Sequence, residues 1–388
     1  MKQKLILIGP TESELTKRGN RFPNIASFFV KQGFIIKYYT SNFYHAEKRF
    51  FSKNEINQVK KSLKYDLSVL SVLGYYSNIS TRRVISNFIF SIKLFFILII
   101  KVSKNDKIIL PSRPVELIFF MSLLKRIKGV SIYLDIQDIW PDALKIDNKA
   151  KRQIFSIYCN SFLKPSLKFY DAAFHVAPSF KEWLRRYAKK TKSSFIPLGW
   201  ENKRWSKVEY YEPTKNKNVI KMVVVAQLQY QIDVTPILNV LKNNNNIFLS
   251  IIGEDGTGER YNETVKFIKN NNLKNIEIIG KIDRSEMINH LMDKDVGILP
   301  MITSSIPNKI FDYMAAILPT IVLGNNDSSQ FIVKNNIGWQ CDYDSKSLEF
   351  LINNLSFDEI SLKKKNVFYF RNNFSRDILH KKIKQIIK

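Results

Sequence analysis

The densest group of side chains that could do chemistry lies between Ser304 and Ala316, in the run SSIPNKIFDYMAA. It follows an apolar run, Val296–Leu299, and Pro300. Ser304 or Ser305 can cap a helix whose first turn holds Pro307. The start of such a helix offers free N–H groups and the positive end of a dipole, which suit a phosphate. Asn308 and Lys309 fall in that first turn, and Lys309 and Asp312, three apart, share a face. The ammonium suits a diphosphate and the carboxylate suits sugar hydroxyls. The same spacing also fits an ordinary capped helix, with Ile310, Tyr313 and Met314 in the core and Lys309–Asp312 a surface pair.

A second group is Asp135-Ile136-Gln137-Asp138-Ile139-Trp140-Pro141-Asp142, after the apolar run Val130–Leu134. Asp138 could take a proton from an attacking hydroxyl or orient an acceptor. The alternative is a helix cap beside a core Trp140. Gly253-Glu254-Asp255-Gly256 reads as a strand-end turn. Asp342-Tyr343-Asp344 matches the Asp-x-Asp string of some metal sites, but lacks a preceding strand of the right context and reads as a loop. Cys159 and Cys341 are too few for a disulfide scaffold or a cysteine zinc cluster. His45, His175, His290 and His380 stand singly, so no metal site is expected.

These segments need elements to hold them. Apolar runs at Leu5–Ile8, Phe34–Tyr39, Lys107–Leu110 and Val130–Leu134 alternate with helical patterns at Pro23–Lys31 and Val115–Lys128. The second half repeats the grammar. Strands are expected at Ile220–Val225, Ile247–Ile252, Ile276–Ile279, Val296–Leu299 and Thr320–Val322, and helices at Glu263–Asn270 and Ser285–Met292. The alternation predicts an α/β chain of two doubly wound, Rossmann-like domains, 1–196 and 219–370, joined by a linker at 197–218 and facing each other across a cleft. A helix within 371–388 is expected to pack back toward the first domain. In such sheets ligands bind beyond the carboxyl ends of the strands, where the strand order reverses.

The chain of 388 residues carries a net charge of +27, and the excess is uneven. Residues 1–200 hold 35 Lys and Arg against 13 Asp and Glu; the remainder holds 26 against 21. A lysine-rich genome would load both halves alike, so the first half is expected to meet phosphates, on a membrane surface or otherwise, unless it is simply a solvated basic face. The apolar stretch Phe88–Ile100, thirteen residues broken by Lys93, is shorter than the ~20 residues that span a bilayer. With no signal peptide visible, the expected location is the cytoplasm, peripheral at the inner face of the membrane. Aromatics are plentiful, but no nucleic-acid-binding motif appears, so no nucleic-acid partner is expected.

PNKIFDYMAAILPTIVLG, together with LDIQDIWPDAL (134–144), IIGEDGTGERY (251–261) and GKIDRSEMINHLMDKDVGILPM (280–301), resembles the retaining glycosyltransferases of family 4, which have the GT-B fold. The branch it is most similar to makes bacterial surface polysaccharides such as capsule and O-antigen. The resemblance implies transfer of a hexosyl or N-acetylhexosaminyl group from a nucleoside-diphosphate sugar, UDP-sugars favoured, to a lipid-linked or saccharide acceptor, with retention and without a metal or other cofactor. Asp312 stands where the family has the last Glu of an E-x7-E motif, which holds the ribose. Ser304 replaces the first Glu. Lys309 matches a lysine beside the diphosphate. Gln227 stands where the family has basic residues after the first strand of the second domain. Ser305, Asn308, Gly253 and Ile282 complete the implied donor site. The loop with Arg18, Gly19 and Arg21 would lie near the phosphate and acceptor, with its arginines replacing the missing cations. The losses at Ser304 and Gln227 also fit an inactive partner subunit. A basic nucleic-acid-binding protein and a two-domain epimerase are further alternatives, the latter without the expected cluster of His and carboxylates.

Overall fold

Leu5, Leu7 and Ile8 have no exposed surface, which is what a strand covered on both faces requires. That strand, β1 (Lys4–Ile8), is an inner strand of a seven-stranded parallel sheet with β2 (Ile35–Ser41), β5 (Asp66–Leu70), β6 (Lys107–Pro111), β7 (Ser131–Ile136), β8 (Ala172–His175) and β9 (Lys192–Phe195). A separate antiparallel ribbon pairs β3 (Phe43–Tyr44) with β4 (Arg49–Phe50). The molecule is described by a computed structural model covering residues 3–16, 20–77, 80–144, 146–205, 208–210, 219–228, 232–254, 256–283, 286–303 and 305–387.

The order in the first sheet is β5-β2-β1-β6-β7-β8-β9. The chain runs outward from β1 to β5, then returns to pair β6 against β1. The crossovers therefore diverge at the β1/β6 junction, and the carboxyl ends of these two strands are left as a crevice. The second sheet repeats the device. Its order is β12 (Ile276–Gly280), β11 (Ile247–Glu254), β10 (Ile220–Val225), β13 (Val296–Pro300), β14 (Thr320–Leu323) and β15 (Gly338–Cys341), all parallel, with the reversal between β10 and β13. The edge strands β5, β9 and β15, and the short β8 beside β9, carry no long apolar run, and the sequence patterns do not mark them. Lys192–Phe195 reads KSSF.

Two units emerge: residues 1–196 with 380–388, and residues 197–379. The stretch expected as a linker, where described, groups with the second unit. Trp200 and Trp205 are buried, and the Trp200 indole donates to the Arg371 carbonyl at 2.7 Å. The final helix, Arg376–Ile386, begins in the second unit and ends in the first, where the His380 ring lies 5.4 Å from Phe28.

The apolar stretch after residue 80 is a longer helix than its thirteen-residue run suggests. Ser80 caps it at Arg83 N–H, and it spans 21 residues, Thr81–Lys101. By length and composition it could cross a membrane. Phe90, Leu94, Phe95 and Leu98 face the core, whereas Phe96 and Ile100 are 60% and 83% exposed.

The β10/β13 junction depends on one phenol. Tyr313, fully buried, accepts from Val225 N–H at 2.8 Å, and its hydroxyl lies 3.2 Å from the Ile298 carbonyl and 3.3 Å from that of Val223. A side chain at Gly297 would meet the Tyr313 ring at 2.7 Å, so glycine makes room for it. Tyr313→Phe strands the Val225 N–H in the core and is expected to cost about 1–3 kcal/mol in urea unfolding. A loss below about 0.5 kcal/mol, the range of an ordinary surface change, would show that the phenol does not hold the junction.

Candidate functional site

In the second unit the expected segment lies directly beyond β13. The helix is Asn308–Ala315, one residue shorter at its start than expected, with Pro307 at the cap position (φ −75, ψ 160). Ser305 does not cap it. Its carbonyl instead accepts the Ser328 hydroxyl, and Asn326 donates to the Met301 carbonyl at 3.3 Å. The strand-to-helix loop is thus pinned from the start of the helix Asp327–Lys334. No side chain among the described residues caps Asn308–Ala315, so its first N–H groups have no side-chain acceptor. Asn308 is exposed. Burial pulls the Lys309 ammonium down to about 8, and the Asp312 carboxylate acts against that. The two therefore sit together, half-buried, at the carboxyl end of the switch point, while Ile310, Phe311, Tyr313 and Met314 fill the core.

Gln227 follows β10, partly exposed. Gly253 has φ +98, a backbone few side chains adopt, and lies against the Ala226 backbone. Ile282 is in the loop after β12. Ser304, Arg18 and Gly19 lie outside the described residues. Asp344 caps the helix Ser345–Asn353 through Ser347 N–H, which gives the Asp-x-Asp string a structural use. No group of three potential metal ligands occurs among the described residues. A hollow of about 700 Å³ lies by Trp339 and Phe350, against the edge strand β15.

Arg21 corrects an expectation. Its guanidinium is not available for a substrate phosphate. Nε and Nη2 each donate to Asp135 at 2.7 Å, Nη2 also reaches the Ile196 carbonyl at 2.8 Å, and both side chains are buried. Gln137 adds a donor to Asp135 at 2.8 Å. This fork ties the start of the first helix, Arg21–Lys31, to the end of β7 and to the last residue before the second unit. The apolar neighbours of Arg21, Phe22 and Ile25, carry it inward.

The cations of the first unit lie elsewhere. A cavity of about 450 Å³ opens at the β1/β6 crevice, lined by Gly9–Glu12, Tyr44, His45, Lys48, Arg113 and Gln137, among others. Glu12 turns to the N–H groups of Arg21 and Phe22, and burial pushes its carboxyl up to about 7. His45 Nδ1 lies 2.8 Å from the Tyr75 hydroxyl. Burial, then Arg83, Lys48 and Arg113, pull the His45 imidazole down to about 4. Asp138 sits at the end of β7 with a 3.2 Å ion pair to Arg113 and accepts from Ile139 N–H, while Trp140 is buried. Sequence reasoning missed Glu12, His45, Lys48, Arg83 and Arg113. They are single residues in a lysine-rich chain, with no spacing to mark them.

Both switch points thus carry polar side chains in loops after parallel strands. Chains of this architecture are known. A solved sucrose-phosphate synthase from Thermosynechococcus elongatus superposes with a TM-score of 0.71 at 12% identity, over 99% of this chain and 98% of that one. A glycosyltransferase from Rickettsia africae gives 0.69 at 14%, over 100% and 98%. Anabaena Alr3699/HepE in complex with UDP gives 0.69 at 9%, over 99% and 98%. The fold is GT-B. Residues 209–372 match the family model described as Glycosyl transferases group 1, a span that includes Lys309 and Asp312. No curated protein sequence matches the chain.

The buried fork is testable by stability. Asp135→Asn leaves the Arg21 guanidinium without its counter-charge and is expected to cost about 3–5 kcal/mol in denaturant unfolding. Pairing it with Arg21→Met should restore part of that. A double variant no better than the single one would show that the charge pair is not the cause.

Proposed function

We propose that this protein is a glycosyltransferase that moves a hexosyl or N-acetylhexosaminyl group from a nucleoside-diphosphate sugar to a lipid-linked or saccharide acceptor in bacterial surface-polysaccharide synthesis. The carrying observation is the half-buried Lys309–Asp312 pair on an uncapped helix at the β10/β13 switch point, inside the matched region. The leaving group is a nucleoside diphosphate, so catalysis must neutralise charge that grows on its oxygens. Lys309 supplies a cation there, and the helix N–H groups supply fixed dipoles. Asp312 accepts ribose hydroxyls. Ser304, Ser305, Asn308, Gln227, Gly253 and Ile282 shape the rest of the donor site. Asp138, steered by Arg113, orients the acceptor hydroxyl. UDP is the favoured nucleotide; Anabaena HepE was solved with UDP and with UDP-glucose. Retention of configuration and independence of metal are parts of the same reading. The second reading, an inactive partner subunit, is favoured by Ser304 and Gln227; it predicts nucleotide binding without sugar turnover.

Lys309 gives the donor site a pH signature. Its ammonium is charged below about 8 and neutral above, so UDP affinity should fall as pH rises from 7 to 9. Lys309→Ala should weaken UDP binding by about ten- to a hundredfold, the worth of a charged hydrogen bond, and flatten the profile. Lys309→Arg should keep the affinity and lose the pH dependence, since arginine stays protonated. Calorimetry across pH checks both. Full UDP affinity in Lys309→Ala and Asp312→Ala would sink the donor assignment.

The reading places the protein in the cytoplasm, against the inner membrane face. The helix Thr81–Lys101 supports it, with Ile85, Phe88, Phe96 and Ile100 exposed beside Arg82, Lys93 and Lys101. Binding to phosphatidylglycerol-containing vesicles should exceed binding to phosphatidylcholine, weaken with salt, and drop in Phe96→Ser/Ile100→Ser. Equal binding by that variant would place the contact elsewhere.

A further inference from the structure

We infer that the hollow along β15 in the second unit binds a neutral saccharide. The inference does not rest on the donor assignment, and the hollow shares no lining residue with the donor site. Its volume of about 700 Å³ lies within the range of about 300–1,000 Å³ usual for ligand pockets. It meets Trp339, Gln340, Cys341 and Asp342 in succession. Side chains of a strand alternate between its two faces, so a space that meets four consecutive residues runs along the edge. β15 pairs only with β14. Thr320 N–H donates to the Ile337 carbonyl at 3.3 Å and Gly324 N–H to that of Cys341 at 2.8 Å, so the odd-numbered residues of β15 face β14. Alternate residues of a strand turn their peptide groups to opposite sides. Gln340 therefore presents its N–H and carbonyl to the hollow, a donor and an acceptor held in place by the sheet.

A sugar ring has an apolar face of C–H groups and a rim of hydroxyls, each of which both donates and accepts. The hollow offers a counterpart to each. Phe350, on the helix Ser345–Asn353, is 74% exposed and gives an open aromatic ring. The Trp339 indole is fixed beside the hollow by its N–H, which donates to Glu359 at 2.6 Å, and by Lys363, whose ammonium lies 5.8 Å from the ring centre. At the rim, the Gln340 amide and the Asp342 carboxylate join the Gln340 peptide group as planar donors and acceptors. In a chain of net charge +27 this hollow stands near neutral, with Lys346 and the neighbouring Lys363 against Asp342 and Glu359. It has no excess of cations to draw a phosphate, a nucleic acid or an anionic lipid. A neutral, hydroxyl-rich ligand with an apolar face matches it. An added peptide strand would use the same edge, but β15 is four residues long, and short edge strands are how sheets avoid such pairing.

The experiment titrates the full chain with maltotetraose, cellotetraose and chitotetraose, by saturation-transfer NMR and calorimetry. Wild type is expected to bind at least one of them. Phe350→Ala/Gln340→Ala should weaken that binding by about three- to tenfold, the worth of a lost aromatic contact, while UDP affinity stays within about twofold. If the double variant melts early, Phe350→Leu replaces it, since it keeps an apolar side chain and removes only the ring. Binding of none of the three by wild type, or undiminished binding in the variants, overturns the site. Self-association of wild type that Phe350→Ala abolishes, with no saccharide bound, overturns it in favour of an interface between copies of the chain. Lys309→Ala separates this site from the donor site: it should leave saccharide binding unchanged, and a parallel loss there would move the saccharide to the donor crevice and overturn the inference.

Discussion

Three backbone groups from two neighbouring strands converge on the hydroxyl of Tyr313, and the switch point of the second unit depends on that convergence. Where crossover connections leave in opposite directions, no helix closes over the strand ends. The last peptide groups of β10 and β13 would be buried with poor partners, at a cost of about 1–3 kcal/mol each. A phenol solves this because one oxygen both donates and accepts. Burial raises its pKa, which keeps the proton in place. The solution also fixes the site. Tyr313 is one residue after Asp312 and four after Lys309, so anchoring the ring in the sheet sets the rotation of the helix and turns those two side chains toward the crevice. The exit from this helix is strained to match. Ile317 has φ +60, rare for a β-branched residue, and it is buried.

The first unit meets the same topological problem with charge. The fork between Arg21 and Asp135 holds the end of β7 against the start of the first helix, and Glu12 takes that helix's N–H groups. An internal carboxyl therefore stands where an external anion could bind a helix start. The cations lining the cavity of this unit lie to the side, on the turn carrying Lys48 and the loop carrying Arg113.

Most strands covered on both faces were legible; the four-residue β8, AAFH, is too short to show a run. Ile220–Val225 and Val115–Lys128 fall where hydrophobic period alone places them. The edge strands β5, β9 and β15 were not, because half-exposed strands dilute the pattern to sequences such as KSSF, whereas the edge strand β12 keeps its isoleucines and was. Lys309 and Asp312 could be singled out because helical spacing puts them on one face, a local property. The clamp could not, because Arg21 and Asp135 are 114 residues apart and nothing in either neighbourhood announces the partner. Arginine at a loop–helix boundary reads equally as a phosphate ligand or a buried strut. Only the fold decides, and it decides for the strut. The same limit hid Lys48, Arg83 and Arg113, whose significance is their mutual distance.

On the proposed donor-site reading, serine at 304 and glutamine at 227 change how the remaining charge must work. Without an acidic side chain at 304 and a basic one at 227, Lys309 carries the cationic burden of its crevice with Asp312 as near neighbour. A partly buried ammonium is costly to keep charged, and its lowered pKa reflects that cost. A bound diphosphate would reverse the balance, since its oxygens restore the charged form. Binding and protonation are then coupled at one nitrogen. On that reading, near pH 8 and above the site carries less than full charge until an anionic ligand arrives, and the interaction with the leaving group is strongest when that group carries most charge. A basic residue at 227 would have shared the load and weakened this coupling. Its replacement by glutamine is therefore consistent with a working donor site as well as with a lost one.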